Sequence, residues 1–202
     1  MNKIFLIFLL SMLAFSGIAQ TNISDMKEFK KVSWEDLNDN AIRLIGNDWM
    51  LISAGSVDTD FNMMTASWGG LGWLWEKPVS FIFVRPQRHT FKFVEREEYY
   101  TITFYKEEYR LALKKMGSVS GRNFDKMHYE GLTAIKTENN SVAFKEAYIV
   151  IECKKSYSTV IQEDEFIDQD IVSEKYPNKD FHTMYVGEIV NVWMKEEMET
   201  KK

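Results

Sequence analysis

Residues 62–90, NMMTASWGGLGWLWEKPVSFIFVRPQRHT, contain the features that decide both the fold and the kind of ligand. The first half places small and hydroxylated residues beside three tryptophans, and the second half is an apolar run that ends in two arginines and a threonine. Small residues let the main chain approach a flat molecule closely. Arginine guanidinium groups match the geometry of phosphate oxygens. The stretch therefore indicates a ligand with a planar ring and a phosphate tail.

The small-residue half predicts a hairpin strand whose main-chain N–H groups face the polar edge of a flat ring. The ring-facing residues are Thr65, Ala66 and Ser67, and Trp68 is expected to form a wall beside the ring. A hairpin whose small residues merely pack tightly explains the same composition equally well. Trp73 and Trp75 are expected in the core or at a subunit contact rather than against the ligand.

The arginine half predicts an anion site. It follows a predicted strand and precedes a predicted helix over 91–97, so unpaired N–H groups and the positive end of the helix dipole await an anion there. Arg85, Arg88 and the hydroxyl of Thr90, which is expected to cap the helix, complete a phosphate cup. The alternative is a solvated turn whose arginines pair with nearby glutamates, and residue types alone favour that alternative.

A second polar segment, residues 120–126, leads into a predicted helix over 124–129. Lys126 lies within reach of a phosphate as a point charge. An ordinary capping loop around Asp125 is the structural alternative. His182 opens the last predicted strand, and a single strand histidine is more often structural than catalytic, so it is a weaker candidate.

The two ends of the chain predict its destination and its domain organisation. Lys3 precedes an apolar run over 4–15, and small residues at 16–19 predict cleavage after Ala19, as in a secretory signal peptide. That run is too short to span a bilayer comfortably. We expect a signal peptide over 1–19, an extension with a short helix capped by Ser33 over 20–40, and one domain over 41–196. The expected location is exported, in a bacterial periplasm or secreted.

Composition narrows the function further. The formal charge of −5 argues against a nucleic-acid-coating surface, and the single Cys153 excludes an internal disulfide. The three histidines lie far apart without metal-ligand spacing. Gly70 and Gly72 begin a dinucleotide fingerprint that Trp75 breaks. The chain shows six or more strands among short helices, which favours a mainly β fold and a closed barrel, with an acidic insertion over 162–180.

Five blocks of sequence together resemble the flavin reductase-like FMN-binding split-barrel family, and more narrowly its flavoredoxin-type branch. They are residues 49–52, 62–70, 83–90, 120–122 with Lys126, and 182–188. Their order and spacing span about residues 40–194. The resemblance implies a six-stranded Greek-key split β-barrel, non-covalently bound FMN and a homodimer.

The resemblance also implies roles for individual residues. Asn62, Trp68, Thr90 and Lys126 are expected to contact FMN, residues 65–67 to face its ring, and Arg85, Gln87 and Arg88 its ribityl phosphate. Ser120 and Gly121 complete the cofactor set, and His182 borders the flavin or nicotinamide side.

The implied activity is an FMN-dependent oxidoreductase that passes hydride or electrons from NAD(P)H or a protein donor. An exported enzyme lacks cytoplasmic NAD(P)H, which questions the reductase activity more than the flavin binding. The alternative is an exported, non-catalytic binding module for flavin, haem or another planar ligand. A third, weaker hypothesis is a structural β-barrel with a tryptophan patch as its interface.

Overall fold

The computed structural model describes residues 26–195, so the predicted signal peptide over 1–19 lies outside the described residues. Short 3-10 helices occur at Trp34–Asp36, Glu107–Tyr109 and Glu163–Glu165, and a π-helical turn occurs at Leu44–Asp48. The strands and α-helices of this part are β1 Phe29–Val32, α1 Ala41–Arg43, β2 Met50–Gly55, β3 Phe61–Ala66, β4 Gly69–Leu74, β5 Lys77–Val84, α2 His89–Arg96, β6 Tyr99–Phe104, α3 Arg110–Ser118, β7 Ala134–Lys136, β8 Val142–Phe144, β9 Ile149–Val160, α4 Gln169–Lys175 and β10 Thr183–Lys195.

One antiparallel sheet contains eight of these strands. Seven follow the order β3-β2-β6-β9-β10-β5-β4, β1 pairs with β10, and β7 and β8 form a separate hairpin. β5 lies beside β10 although it precedes β6 along the chain, which is the long return connection of a Greek key. The six neighbouring strands β3-β2-β6-β9-β10-β5 confirm the predicted six-stranded Greek-key arrangement. β4 and β1 are added to it.

The barrel is split rather than closed. The sheet path ends at β3 on one side and at β4 on the other, and no ladder joins these two strands within residues 26–195. The expectation of a closed barrel was therefore wrong, and the mainly β split fold with short helices is confirmed. The β4–β5 hairpin forms that second edge of the sheet.

Both faces of the sheet are buried, which explains the continuous apolar runs in the sequence. Met50, Ile52 and Ala54 of β2 point into one core cluster. Leu51, the residue between the first two, points into a second cluster on the opposite face, beneath α3 and the β7–β8 hairpin. The alternation places β2 at the centre of the fold and fixes its register against β3, where Leu51 pairs with Thr65.

The helices near the site differ in detail from the prediction. α2 begins at His89 with Arg88 as its N-cap, so Thr90 is not the cap. The Thr90 side chain is instead buried and accepts a hydrogen bond from Asn62. α3 continues through Gly117 to Ser118. The predicted helix over 124–129 is a series of turns and bends, in which Asp125 accepts hydrogen bonds from the N–H groups of Met127 and His128.

Two further predictions outside the site were incomplete. Within the expected N-terminal extension over 20–40, Phe29–Val32 pairs with β10 as a strand. Ser33 caps the short 3-10 helix as predicted, with a reciprocal hydrogen bond from its own N–H to Asp36. Trp73 and Trp75 are not in the core, because they are 60% and 55% exposed on the β4–β5 hairpin.

We expect Gly55→Ala to lower the free energy of unfolding by about 3 kcal/mol, since a side chain there is both strained and obstructed. Gly55 ends β2 with φ at 110°, and a Cβ would lie 2.2 Å from the carbonyl oxygen of Asp60. Urea denaturation measures the loss. Gly46→Ala is the control, because nothing lies within 4 Å of the Cβ it would add. Equal midpoints for the two variants would contradict the strain at Gly55.

Candidate functional site

Two adjoining clefts open where β3 and β5 end and where β10 begins. The ring cleft has a volume of about 320 Å³ and the cation cleft about 220 Å³. Arg88 lines both, so the two clefts adjoin at this side chain. The ring cleft contains Thr65, Ala66, Ser67, Trp68, Arg85 and His182, and the cation cleft contains Asn62, Gln87, Thr90, Ser120, Gly121 and Lys126. The fold thus brings every predicted site residue to one place.

Lys126 is the most unusual residue of the cation cleft. Its side chain is 4% exposed, and its ammonium group donates to the carbonyl oxygens of Met63 at 2.8 Å and Met116 at 2.7 Å. No carboxylate of the described part of the chain lines either cleft. Burial, helped by the nearby charge of Arg88, lowers the pKa of Lys126 to about 8. A buried cation without an acidic partner is costly, which indicates that an anion completes the site.

Arg88 supplies a second cation where α2 begins. Its backbone is extended at the N-cap position and its side chain makes no capping hydrogen bond. Instead, Nη1 donates to the carbonyl oxygen of Gly117 at 2.9 Å, near the end of α3. Burial lowers the pKa of the Arg88 guanidinium. The first N–H groups of a helix have no intrahelical acceptor, so this end of α2 adds donors to the two charges.

The main chain at Gly121 forms a close cradle beside these cations. A Cβ on Gly121 would lie 2.3 Å from Oδ1 of Asn62 and 2.7 Å from Cδ2 of His89. Asn62 is held in turn by its hydrogen bond to the Thr90 hydroxyl at 2.7 Å. Nδ1 of His89 is buried without a hydrogen-bond partner among the described residues. The donors, the close main chain and the unpaired nitrogen fit a phosphate group.

Desolvation also acts on His89. It lowers the pKa of the imidazole, and the positive charges of Lys92, Arg122 and Lys126 lower it further. The ring packs edge-on against Phe93, with centroids 5.4 Å apart. His89 is therefore neutral, and the positive charge of the cation cleft comes from Arg88, Arg122 and Lys126.

The ring cleft is walled by aromatic side chains and floored by the end of β3. Thr65 donates its hydroxyl hydrogen to the carbonyl oxygen of Leu113, which ties β3 to α3. Trp68 is 44% exposed, and its ring centroid lies 5.1 Å from that of His182. Phe83 lies edge-on to the same imidazole at 6.5 Å. This cleft suits a flat aromatic molecule.

Arg85 and Gln87 have partners from the acidic insertion. Both donate to the carboxylate of Asp180, and Arg85 also donates to the carbonyl oxygen of Lys175 at 2.7 Å. The Arg85 guanidinium lies 5.0 Å from the ring centroid of Tyr176. These contacts fix the insertion against the end of β5. The predicted contact of Arg85 and Gln87 with a phosphate stays a prediction.

Six other residues line the clefts although sequence reasoning did not select them. They are Met64 and Phe83 in the ring cleft, and His89, Ser118, Val119 and Arg122 in the cation cleft. Arg122 donates to the carbonyl oxygen of Gln87 at 2.8 Å. The sequence could have indicated two of them as site residues, because Phe83 lies two positions before Arg85 and His89 directly follows Arg88.

Residues 26–195 contain neither a cluster of metal ligands nor a membrane-spanning helix. No group of three or more histidine, cysteine, aspartate or glutamate side chains in this part could hold a metal ion. None of its helices has both the length and the apolar character needed to cross a membrane.

Solved structures with the same fold include flavoredoxin from Methanosarcina acetivorans, which is 19% identical over 74% of this chain and 69% of that chain, with a TM-score of 0.58. Flavoredoxin of Desulfovibrio vulgaris (Miyazaki F) is 23% identical over 73% of this chain and 69% of that chain, with a TM-score of 0.55. An FMN-binding protein from Thermus thermophilus, solved with bound 1-cyclohex-2-enone, is 20% identical over 74% and 71% of the respective chains, with a TM-score of 0.57.

The sequence itself gives the assignment to a family. A search of curated proteins found no match. The family model described as "Flavin reductase like domain" matches residues 42–201. This range includes the residues of both clefts and every strand of the sheet except β1. The resemblance inferred from the five sequence blocks is thereby confirmed, and the chain belongs to the flavin reductase-like family.

Proposed function

We propose that this protein binds FMN across the two clefts and acts as an oxidoreductase. The observation that carries the proposal is the cation cleft, in which buried Lys126 and half-buried Arg88 lie without a carboxylate directly beside a cleft suited to a flat ring. Metal-free phosphate sites are built from such cations, main-chain N–H groups and hydroxyls. The FMN-binding relative with the same fold supports this choice of ligand.

In this proposal one group of residues binds the phosphate of FMN and another binds its ring. Lys126, Arg88, the N-terminus of α2, Thr90 and the 120–121 main chain hold the phosphate. Residues 65–67 present main chain to the polar edge of the ring, and Trp68 covers one side. Bound FMN supplies hydride and electron-transfer chemistry. The chain needs no nucleophile of its own and contributes orientation, charge neutralisation and exclusion of water.

The proposal extends to assembly and location. We propose a homodimer in which Trp73 and Trp75, exposed on the β4–β5 hairpin, contribute to the subunit contact, since aromatic residues are enriched at such contacts. We also propose export after removal of residues 1–19. For the exported protein we propose a reduced protein carrier as the electron donor, with NAD(P)H as the alternative.

Release of the bound ligand by heat, followed by its identification by mass, tests the proposal. We expect a yellow protein that releases FMN. Release of FAD or haem, or a colourless protein without affinity for FMN, contradicts it. Anaerobic bleaching by NADH or NADPH then separates a nicotinamide-dependent reductase from a flavin carrier that accepts electrons elsewhere.

We expect Arg88→Ala to raise the dissociation constant for FMN about tenfold, the size of one charge-assisted hydrogen bond to phosphate. The fold should survive, because among residues 26–195 the Arg88 side chain makes only one hydrogen bond, to the carbonyl oxygen of Gly117. Fluorescence titration measures the change. Arg96→Ala is the matched control on the same helix, since Arg96 pairs with Asp60 away from the clefts. Equal flavin retention by parent and Arg88→Ala would count against the assignment.

A further inference from the structure

The acidic insertion contributes one buried polar contact to the ring cleft. The hydroxyl of Tyr176, just after α4, lies 2.9 Å from Nδ1 of His182. Both side chains are buried, with 5% and 7% exposure. Nε2 of His182 makes no hydrogen bond within residues 26–195, and His182 lines the ring cleft. Because Nδ1 is engaged by Tyr176, Nε2 is the nitrogen left for a ligand.

The surroundings of the Tyr176 hydroxyl decide whether it or Nδ1 of His182 is the hydrogen-bond donor. Within residues 26–195 the Tyr176 hydroxyl has His182 as its hydrogen-bond partner. The Tyr176 ring contacts Phe166, Phe181 and the Arg85 guanidinium, none of which accepts a hydrogen bond. If Nδ1 carried the hydrogen, the hydroxyl hydrogen would be buried without an acceptor, which is unfavourable. If the hydroxyl donates to Nδ1, both groups are satisfied. A neutral imidazole then carries its hydrogen on Nε2.

The imidazole stays neutral at physiological pH. Burial lowers the pKa of His182 to about 4, and the positive charge of Arg85 acts in the same direction. Asp180 opposes the shift weakly. The charged or titratable groups that face the ring are therefore Arg85 at the end of β5, and Tyr176 and Asp180 of the insertion.

We propose that Tyr176 is a positioning residue that donates to Nδ1 of His182 and so presents Nε2–H to the ring cleft as a hydrogen-bond donor. Nε2–H would donate to an acceptor atom on the flat ligand. In this respect the inference rests on the proposed function. The Asp180 contacts to Arg85 and Gln87 hold the insertion in place, which keeps the hydroxyl over the imidazole. The insertion thus completes the ring site rather than only covering it.

The first test uses the ligand-free protein. Long-range ¹⁵N–¹H NMR correlations report the tautomer of each of the three histidines, and His182→Gln identifies the His182 signals. We expect the Nε2–H form in the parent and a mixture of both forms in Tyr176→Phe, which keeps the aromatic ring and loses only the hydroxyl. Tyr157→Phe is the matched control, because Tyr157 is 49% exposed against Trp75. An Nδ1–H form in the parent, or an unchanged tautomer in Tyr176→Phe, overturns the inference.

The second test adds FMN. We expect Tyr176→Phe to raise the dissociation constant about threefold and to shift the visible flavin absorption band, since loss of one neutral hydrogen bond has about this effect. Tyr157→Phe should change neither. An unaltered band and affinity in Tyr176→Phe contradict a contact between Nε2–H and the ring. A parent protein that binds no FMN contradicts the proposed function instead, and the tautomer result, obtained without flavin, still decides the role of Tyr176.

Discussion

Lys126→Met is expected to raise the dissociation constant for FMN about 100-fold, equivalent to about 2.7 kcal/mol. Methionine has nearly the volume of lysine, so the variant removes the charge and its donors without opening a cavity. The effect is large because the ammonium group is buried and meets the phosphate in a medium that screens charge poorly. Affinity for riboflavin, which lacks the phosphate, should hardly change. Flavin fluorescence titrations with both ligands measure the difference.

Stability of the ligand-free variant distinguishes a binding role from a structural one. Lys126→Met removes two hydrogen bonds to carbonyl oxygens but also removes the cost of burying an unpaired charge. We therefore expect a thermal midpoint close to that of the parent. Lys155→Met is the matched control, because Lys155 also donates to two carbonyl oxygens, those of Val94 and Glu95, and lies outside both clefts. Unfolding of Lys126→Met, or similar loss of FMN in both variants, would assign Lys126 to the fold alone.

The sequence predicted the location of the site better than the function of each residue in it. The continuous apolar run of β2 and the β2–β3 hairpin follow from local patterns. The hairpin places the end of β3 and the pairing of β5 with β10 places the end of β5, so residues 65–68 and 85–90 converge as expected. The N-cap was misassigned to Thr90 because threonine is a common cap. At this position the threonine side chain serves Asn62 instead, a contact between residues far apart in sequence.

The burial of Lys126 was also beyond sequence reasoning. A lysine after Asp125 in a polar segment looks solvated, and its burial results from packing between β3 and the end of α3, which supply its two carbonyl acceptors. The partnership of Arg85 with Asp180 joins residues 95 positions apart. From the sequence, Arg85 was expected to contact either a phosphate or glutamates on the following helix. The position of the insertion beside the end of β5 could not be predicted, because it depends on contacts between residues far apart in the sequence.

Affinity for FMN should fall as the pH rises above 8. In the ligand-free protein the pKa of Lys126 is lowered to about 8 by burial and by Arg88. The phosphate is a dianion throughout the range above pH 7, because its second pKa is about 6. Its charge raises the pKa of Lys126 in the complex, so binding takes up a proton where the free lysine is neutral. By linkage, the dissociation constant should increase about 30-fold between pH 7 and pH 9.5.

Three measurements separate this linkage from other effects of high pH. Circular dichroism checks that the parent is still folded at pH 9.5. The dissociation constant for riboflavin should stay nearly constant, because that ligand has no phosphate to engage the ammonium group. In Lys126→Met the pH dependence for FMN should disappear along with most of the affinity, since arginine keeps its charge throughout this range. A constant FMN affinity from pH 7 to 9.5 in the folded parent would mean that Lys126 does not face the phosphate. An equal slope in Lys126→Met would place the titrating group elsewhere in the cleft.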